Sequence, residues 1–289
     1  MRARLERIRE SPFWEVFTQN WVTKASTIIT GIMIFLAIFG SSMAPHDPIK
    51  MDLGNTFSPS SVKNPFGTDE IGRCLLSRIF AGAHLTLGAA LIAVFIGMFL
   101  GVPTGLLSGY FGGPTDTVTM TFADMLLAFP YFLLAVLVVA IMGPSLESNM
   151  IAIGIWVCPY YVRLVRGATL ALKEREYVEA ARMSGENSAS IIFRYILPNC
   201  ISIVIVWSTT YYARAIIMAA GLGFLGLGAQ PPTPEWGAMT ASGRLYIFKS
   251  ISSILFPAIF ILSAALSFNL LGDSLRDVLD PKLQKGERA

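Results

Sequence analysis

Charge is scarce in this chain. Of its 289 residues only 14% are Asp, Glu, Lys or Arg, while 54% are hydrophobic; a soluble domain carries about 25% charged residues. The deficit accompanies long apolar runs, and the mean hydropathy is +0.59, which argues against a soluble enzyme and a disordered chain. A net charge of +3 is too small for a surface built to neutralise nucleic-acid phosphates. Cysteine is nearly absent: Cys74, Cys158 and Cys200 lie far apart without C-x-x-C spacing, so neither a disulfide framework nor a zinc cluster is expected. The two histidines, His46 and His84, cannot build a His-rich metal site or a plausible Ser-His-Asp group. The motif G-x-x-x-x-G-K-[ST] is missing, so the chain lacks a phosphate-cradling loop of that type, and H-E-x-x-H is missing too. No catalytic residue and no metal ligand is assigned. Transport, a channel or an assembly role remain.

What the chain does have is apolar runs. Six are long enough, or nearly so, to cross about 30 Å of hydrocarbon as helices: residues 28–44, 85–107, 118–142, 151–165, 196–220 and 254–271. The fourth reads as the weakest, because Pro159 interrupts it and Tyr160 and Tyr161 look interfacial. Ser42-Met43-Ala44 resembles a signal-peptide cleavage site. The long stretch before the first run and Pro45 at the first mature position favour a retained anchor instead. The fold expected is all-α and polytopic.

Basic residues orient it. With six spans and a cytoplasmic N-terminus, fifteen of the 22 Lys and Arg fall on the inner side, counting Arg163 at the inner end of the fourth run, and six on the outer, with Arg214 inside the fifth run. Both termini are therefore expected in the cytoplasm. Residues 2–21 alternate charge with Leu5, Ile8, Phe13, Trp14, Val16 and Phe17, which suits an amphipathic helix in the headgroup region. The expected organisation is an N-terminal interfacial segment at 1–25, a first span and outer loop at 26–82, a transmembrane core at 83–276 containing a cytoplasmic loop at 173–199, and a tail at 277–289.

That loop is the most informative segment. Glu174, Glu176 and Glu179 precede Arg182, a charge order that suits a short helix dipole, and Gly185 is placed to end the helix. A second amphipathic turn runs through Ile191, Ile192 and Phe193, and Pro198 is expected to open the fifth span. Ala180 and Ala181 read as small surface residues that let another protein approach closely. From the residues alone, a docking element and an ordinary solvated loop fit equally.

Four stretches together resemble a known family. Glu179-Ala180-Ala181 with Gly185 and Arg194-x-Ile-Leu-Pro-Asn is similar to the EAA signature of permease subunits in ABC importers. The others are NPFGTDEIGR at 64–73, FLGLGAQPPTPEWG at 224–237 and NLLGDSLRDVLDP at 269–281. Over about residues 30–282 the chain resembles the second permease subunit of the dipeptide, oligopeptide and nickel family. Cys74, His84 and Tyr195 depart from that pattern, where aspartate, arginine and histidine are common.

The resemblance implies a type I importer fold in a bacterial or archaeal cytoplasmic membrane. It implies a homologous permease partner, two ABC ATPase subunits that hold the ATP and Mg, and an extracytoplasmic solute-binding protein; this chain would hold no cofactor. Glu179, Ala180, Ala181, Arg182, Gly185 and Arg194 would couple to the ATPases. Gly67, Thr68, Asp69, Arg73, Pro232, Glu235, Trp236 and Gly237 would stand at the outer mouth on the receptor side. The solute implied is a di- or oligopeptide or a related small molecule; a nickel complex or metallophore is the alternative within the family.

Polar groups inside spans are expensive and point to function. Asp116 is expected to cap the third span. Asp124 and Arg214 either line the pathway or form polar contacts between helices. Gly97, Gly101 and Gly105 form a small-residue ridge that reads as helix packing. Pro231, Pro232 and Pro234 forbid a continuous helix in the outer segment 221–249, where Trp236 suits an interface. An ion-coupled secondary transporter using Asp124 or Arg214, and a scaffold without a pathway, are the competing classes.

Overall fold

Apolar runs this long satisfy their own backbone in lipid only as helices, and helices dominate the computed structural model, which describes residues 21–279. In chain order these are α1 (Trp21–Met43), α2 (Leu75–Phe111), α3 (Gly113–Ala128), α4 (Tyr131–Met142) and α5 (Leu146–Leu172). They are followed by α6 (Glu176–Met183), α7 (Ser188–Phe224), α8 (Trp236–Arg244) and α9 (Ser252–Leu279). No strand occurs among the described residues, only an isolated bridge between Thr68 and Cys74. Most of the proposed interfacial helix and of the C-terminal tail lies outside the described residues.

Five unbroken helices, α1, α2, α5, α7 and α9, are long and apolar enough to span. The run at 118–142 is not one straight span. It divides into α3 and α4, which meet at 93°. The cause is local: Pro130 has no N–H to continue the helix and pushes Phe129 into an extended conformation (φ −83°, ψ 127°). The run at 151–165 departs in the opposite sense. It is a continuous 27-residue helix through Pro159, and its span window is the most buried of the five, at 56%. Its low hydropathy reflects a helix packed against protein, where polar side chains find partners.

The glycine ridge explains how α5 reaches the centre. A Cβ at Gly97 would lie 2.9 Å from the Gly154 carbonyl oxygen, at Gly101 2.6 Å from that of Cys158, and at Gly105 2.7 Å from that of Val162. Gly109 extends the series against Thr169. Only hydrogen fits at these positions, so the two backbones touch along about three turns. α1, α7 and α9 pack around this pair, and Ser274 Oγ donates to Thr23 Oγ1 (3.3 Å) to tie α9 to α1. Phe95 and Phe99 on α2, and Ile28, Phe35 and Phe39 on α1, remain exposed, as lipid- or subunit-facing side chains should.

Pro198 stands in the first turn of the α-helical stretch Leu197–Phe224, as expected, but the helix as a whole starts further back. α7 begins ten residues earlier and passes through a π-helical turn at Ile191–Ile196. There Leu197 N–H donates to the Ile192 carbonyl, and the widened register makes room for the proline ring that would crowd an ordinary α-turn.

Candidate functional site

At one end of the bundle α5, α6 and α7 form an elbow. Glu176 and Glu179 occupy the first turn of α6 and Arg182 the last, matching the dipole at both ends. The helix closes in a Schellman turn: Gly185 N–H donates to the Arg182 carbonyl (3.1 Å) and Glu186 N–H to that of Ala181 (3.2 Å). Gly185 has φ +83°, a value L-residues with a Cβ rarely adopt. Asn187 then caps the start of α7, its side chain accepting from Ser190 N–H (2.8 Å).

The two alanines of the EAA triplet do different jobs. Ala181 is buried, with Val178, against Ile191, Ile192 and Ile196; the expectation that both alanines lie on the surface is corrected here. The helix needs an apolar side to seat on α7, and positions 178 and 181 are one turn apart on it. Glu179, Ala180 and Arg182 face outward. Arg194 is exposed and lines an open recess of about 620 Å³ with Gly185, Glu186 and Phe193. Sequence reasoning passed over Glu186. Its carboxylate accepts from Ser190 Oγ and from the Tyr195 hydroxyl (3.3 Å), fastening the turn to α7. Tyr195, the departure from the family's histidine, thus has a structural partner.

At the other end the two outer segments interlock on the start of α2. Asp69 accepts from Arg73 Nε (2.6 Å) and from the backbone N–H groups of Arg73 (2.9 Å) and Ile71 (3.1 Å). Arg73 also reaches Glu70 (3.1 Å), and Arg78 approaches Asp69 (3.6 Å). Arg78 donates to the carbonyls of Pro48 (3.0 Å) and Pro232 (3.4 Å), joining both segments. Thr68 donates to the Asn55 carbonyl (2.5 Å). Glu235 caps α8 by accepting from Gly237 N–H and Ala238 N–H, both at 2.8 Å, and Thr86 Oγ1 donates to it (3.3 Å). Burial pushes the Glu235 carboxyl above its ordinary range, against the pull of those donors. Trp236 Nε1 donates to the Ile79 carbonyl (2.9 Å), and its ring is fully buried. The interfacial placement expected for Trp236 is therefore corrected, because Gly82 leaves a gap on α2 that the indole and the Pro234 carbonyl fill. Of the eight mouth residues only Pro232 is exposed; Gly67, Thr68, Asp69, Arg73, Glu235, Trp236 and Gly237 are framework.

The membrane polar groups form pairs that lie far apart in sequence. Asp116 does not cap α3, whose N-cap is Gly112. It takes a bidentate grip from Arg166 (2.5 and 2.6 Å) and a bond from Ser108 Oγ (2.6 Å), tying α2, α3 and α5 together. Asp124 pairs with Arg163 (2.6 Å), both side chains about half exposed. Arg214 is exposed and lies over the Tyr211 ring, 5.9 Å from its centroid.

Comparison with known proteins agrees with this architecture. Residues 101–285 match the family described as binding-protein-dependent transport system inner membrane component. Residues 11–59 match the N-terminal TM domain of oligopeptide transport permease C. The chain is 42% identical over 273 residues to the glutathione transport system permease protein GsiD of Escherichia coli O1:K1, covering 94% of this chain and 90% of that protein. The protein of the same description in Pectobacterium atrosepticum is 41% identical, with 94% and 91% covered. Among solved structures, an inward-facing MetNI methionine ABC transporter superposes with a TM-score of 0.56 at 21% identity, over 71% of this chain and 97% of that one. An amino acid ABC transporter gives 0.53 at 17%, over 68% and 91%; these two speak to the fold. The helical bundle, the elbow of α5, α6 and α7 and these matches together place the chain in the binding-protein-dependent transport system inner membrane component family, as a multi-pass permease subunit of an ABC importer.

Proposed function

We propose that this chain forms one half of the translocation pathway for peptides or related small solutes, glutathione-like tripeptides among them, beside a homologous second permease. Two ATPase subunits hold the ATP and Mg and supply the energy, an extracytoplasmic solute-binding protein delivers the solute, and the chain itself is non-catalytic. Both termini lie in the cytoplasm of a bacterial or archaeal inner membrane. The observation that carries the coupling role is the two-sided construction of α6. Its outer side presents Glu179, Ala180 and Arg182, while Val178 and Ala181 are locked into the π-turn of α7. A displacement of α6 by closing ATPases therefore moves α7 rather than bending a loose loop. ATP biases the bundle between outward and inward access through the different affinity of the closed ATPase pair for the two states.

The test is Gly185→Pro and Ala180→Trp in the co-expressed importer. Proline cannot take the φ of +83° held at Gly185, and indole at position 180 blocks the outer face. Both variants should accumulate in the membrane yet lose uptake and solute-stimulated ATPase activity. Wild-type uptake by either would remove α6 from the coupling role, and failure to co-purify any ATPase subunit would sink the importer assembly.

A further inference from the structure

α5 and α7 carry the same spacing, W-x-x-x-Y-Y-x-R, at 156–163 and at 207–214. The helices run in opposite chain directions, so the two copies face each other inverted, and their first tyrosines meet. The Tyr160 and Tyr211 rings lie 5.5 Å apart, Trp156 is 4.8 Å from Tyr160, and Trp207 is 5.8 Å from Tyr211. In each pair the second tyrosine is an anchor. Tyr161 bonds Ser208 Oγ (2.6 Å) and Tyr212 donates to the Leu87 carbonyl (2.9 Å). The first tyrosines have no hydrogen-bond partner among the described residues. The result is an aromatic strip, half-buried at Trp156, Tyr160 and Trp207 and buried at Tyr211, with Arg163 and Arg214 towards its ends and Arg276 over the Trp207 ring (5.9 Å).

The two arginines are in different electrostatic states. Arg163 is neutralised by Asp124 at 2.6 Å. Arg214 has no carboxylate within ion-pair distance among the described residues, and its guanidinium meets only the Tyr211 ring. It sits within the apolar helix α7, ten residues or about 15 Å before its end. An exposed guanidinium in an apolar span is expensive against lipid, and such groups face water or a counter-charge. Guanidinium binds carboxylate through paired N–H donors, and flanking aromatic faces supply apolar contact without competing acceptors. We infer that the strip is the wall of the translocation pathway and that Arg214 is its specificity-determining residue, taking the carboxylate of the passing solute. This rests on the peptide-importer reading above and narrows it to solutes that carry a free carboxylate.

Two measurements test it in the complete importer reconstituted in proteoliposomes. The first uses Arg214→Cys with Cys74, Cys158 and Cys200 replaced, probed by a membrane-impermeant sulfonate thiol reagent. Labelling that changes with the ATP state is expected. No labelling in any state overturns the proposal. The second compares uptake of a tripeptide with a free C-terminal carboxylate and the same tripeptide amidated. Arg214→Gln should lower uptake of the free acid about tenfold, the scale of one hydrogen-bonded charge pair, and Arg214→Lys should restore part of it. The amide should change less than about twofold, since it has no charge to lose. Equal losses for both peptides, or none for either, overturn the carboxylate role. Wild-type vesicles that take up neither peptide sink the peptide reading itself, and the labelling result then decides the pathway wall on its own.

Discussion

Adding a single methyl group to Gly101 places it where α2 and α5 are closest. The new Cβ would lie 2.6 Å from the Cys158 carbonyl oxygen and 2.6 Å from Tyr161 Cβ, and real contacts essentially never fall below 3.0 Å. The helices must therefore separate by at least about 0.4 Å at that point. Neither obstacle can swing aside: one is backbone, and the other is the root of a tyrosine that is fully buried. Separation at Gly101 also loosens the flanking contacts at Gly97 and Gly105. Overfilling a tight interior costs about 1–3 kcal/mol, and about 2 kcal/mol lowers the folded-to-unfolded ratio about thirtyfold. Gly88 is the matched control. It lies in the same helix, and a methyl added there would meet no atom within 4 Å, so Gly88→Ala should gain about 0.5–1 kcal/mol from helix propensity. The two substitutions are chemically identical and opposite in sign. Unfolding of the purified protein in mixed micelles, followed by tryptophan fluorescence, measures both midpoints. A Gly101→Ala midpoint at or above wild type, or equal shifts for the two variants, would refute the packing argument.

Other consequences can be measured in the same way. Trp236→Phe removes the donor to the Ile79 carbonyl and leaves a gap beside Gly82, and should cost about 2 kcal/mol, seen as a lower thermal midpoint. Asp116→Asn and Arg166→Gln should each destabilise, while the double variant falls short of their sum by about 1 kcal/mol, because the second change removes a group already unpaired; additivity would show the pair to be idle. Glu235 gives a pH signature. Burial raises its carboxyl in the folded chain above the unfolded value of 4.5, so the folded state binds the proton more tightly. That contribution is complete below 4.5 and fades as pH rises through the folded value. The stability of wild type relative to Glu235→Gln should therefore decline from about pH 4.5 upward, and a flat difference would contradict it.

Much of the fold is local information, present in the sequence itself. Apolar length marks the spans, and Gly185 after Arg182 marks the end of α6. Pro130 carries the break in the third run, a signal that run length alone overlooks. The spacing of Gly97, Gly101 and Gly105 announces close packing, although not its partner. The charge order Glu176, Glu179, Arg182 reports a short helix because the dipole acts within one turn. Each of these depends on neighbours within four residues or so in the chain.

The rest depends on which surfaces meet, and hydropathy is blind to that. The run within α5 looked like the weakest span because Pro159 interrupts it and Tyr160 and Tyr161 read as interfacial; the helix continues through Pro159, and Tyr161 is fully buried and bonded to Ser208 on α7. Trp236, Glu235 and Asp69 looked like an outward mouth, yet they hold two loops onto α2 through bonds spanning up to 157 residues. Ala180 and Ala181 are the same residue type side by side, and only the packing of α6 on α7 turns one outward and the other in. Asp124 pairs with Arg163 because α3 packs on α5, and among the described residues no carboxylate lies beside Arg214. The sequence by itself determined a charge-poor, helical membrane chain with a short charged helix between its fourth and fifth apolar runs. Only the tertiary structure decided which of its few charges are spent on one another and which remains available, because opposite charges cancel by distance in space and not by distance along the chain.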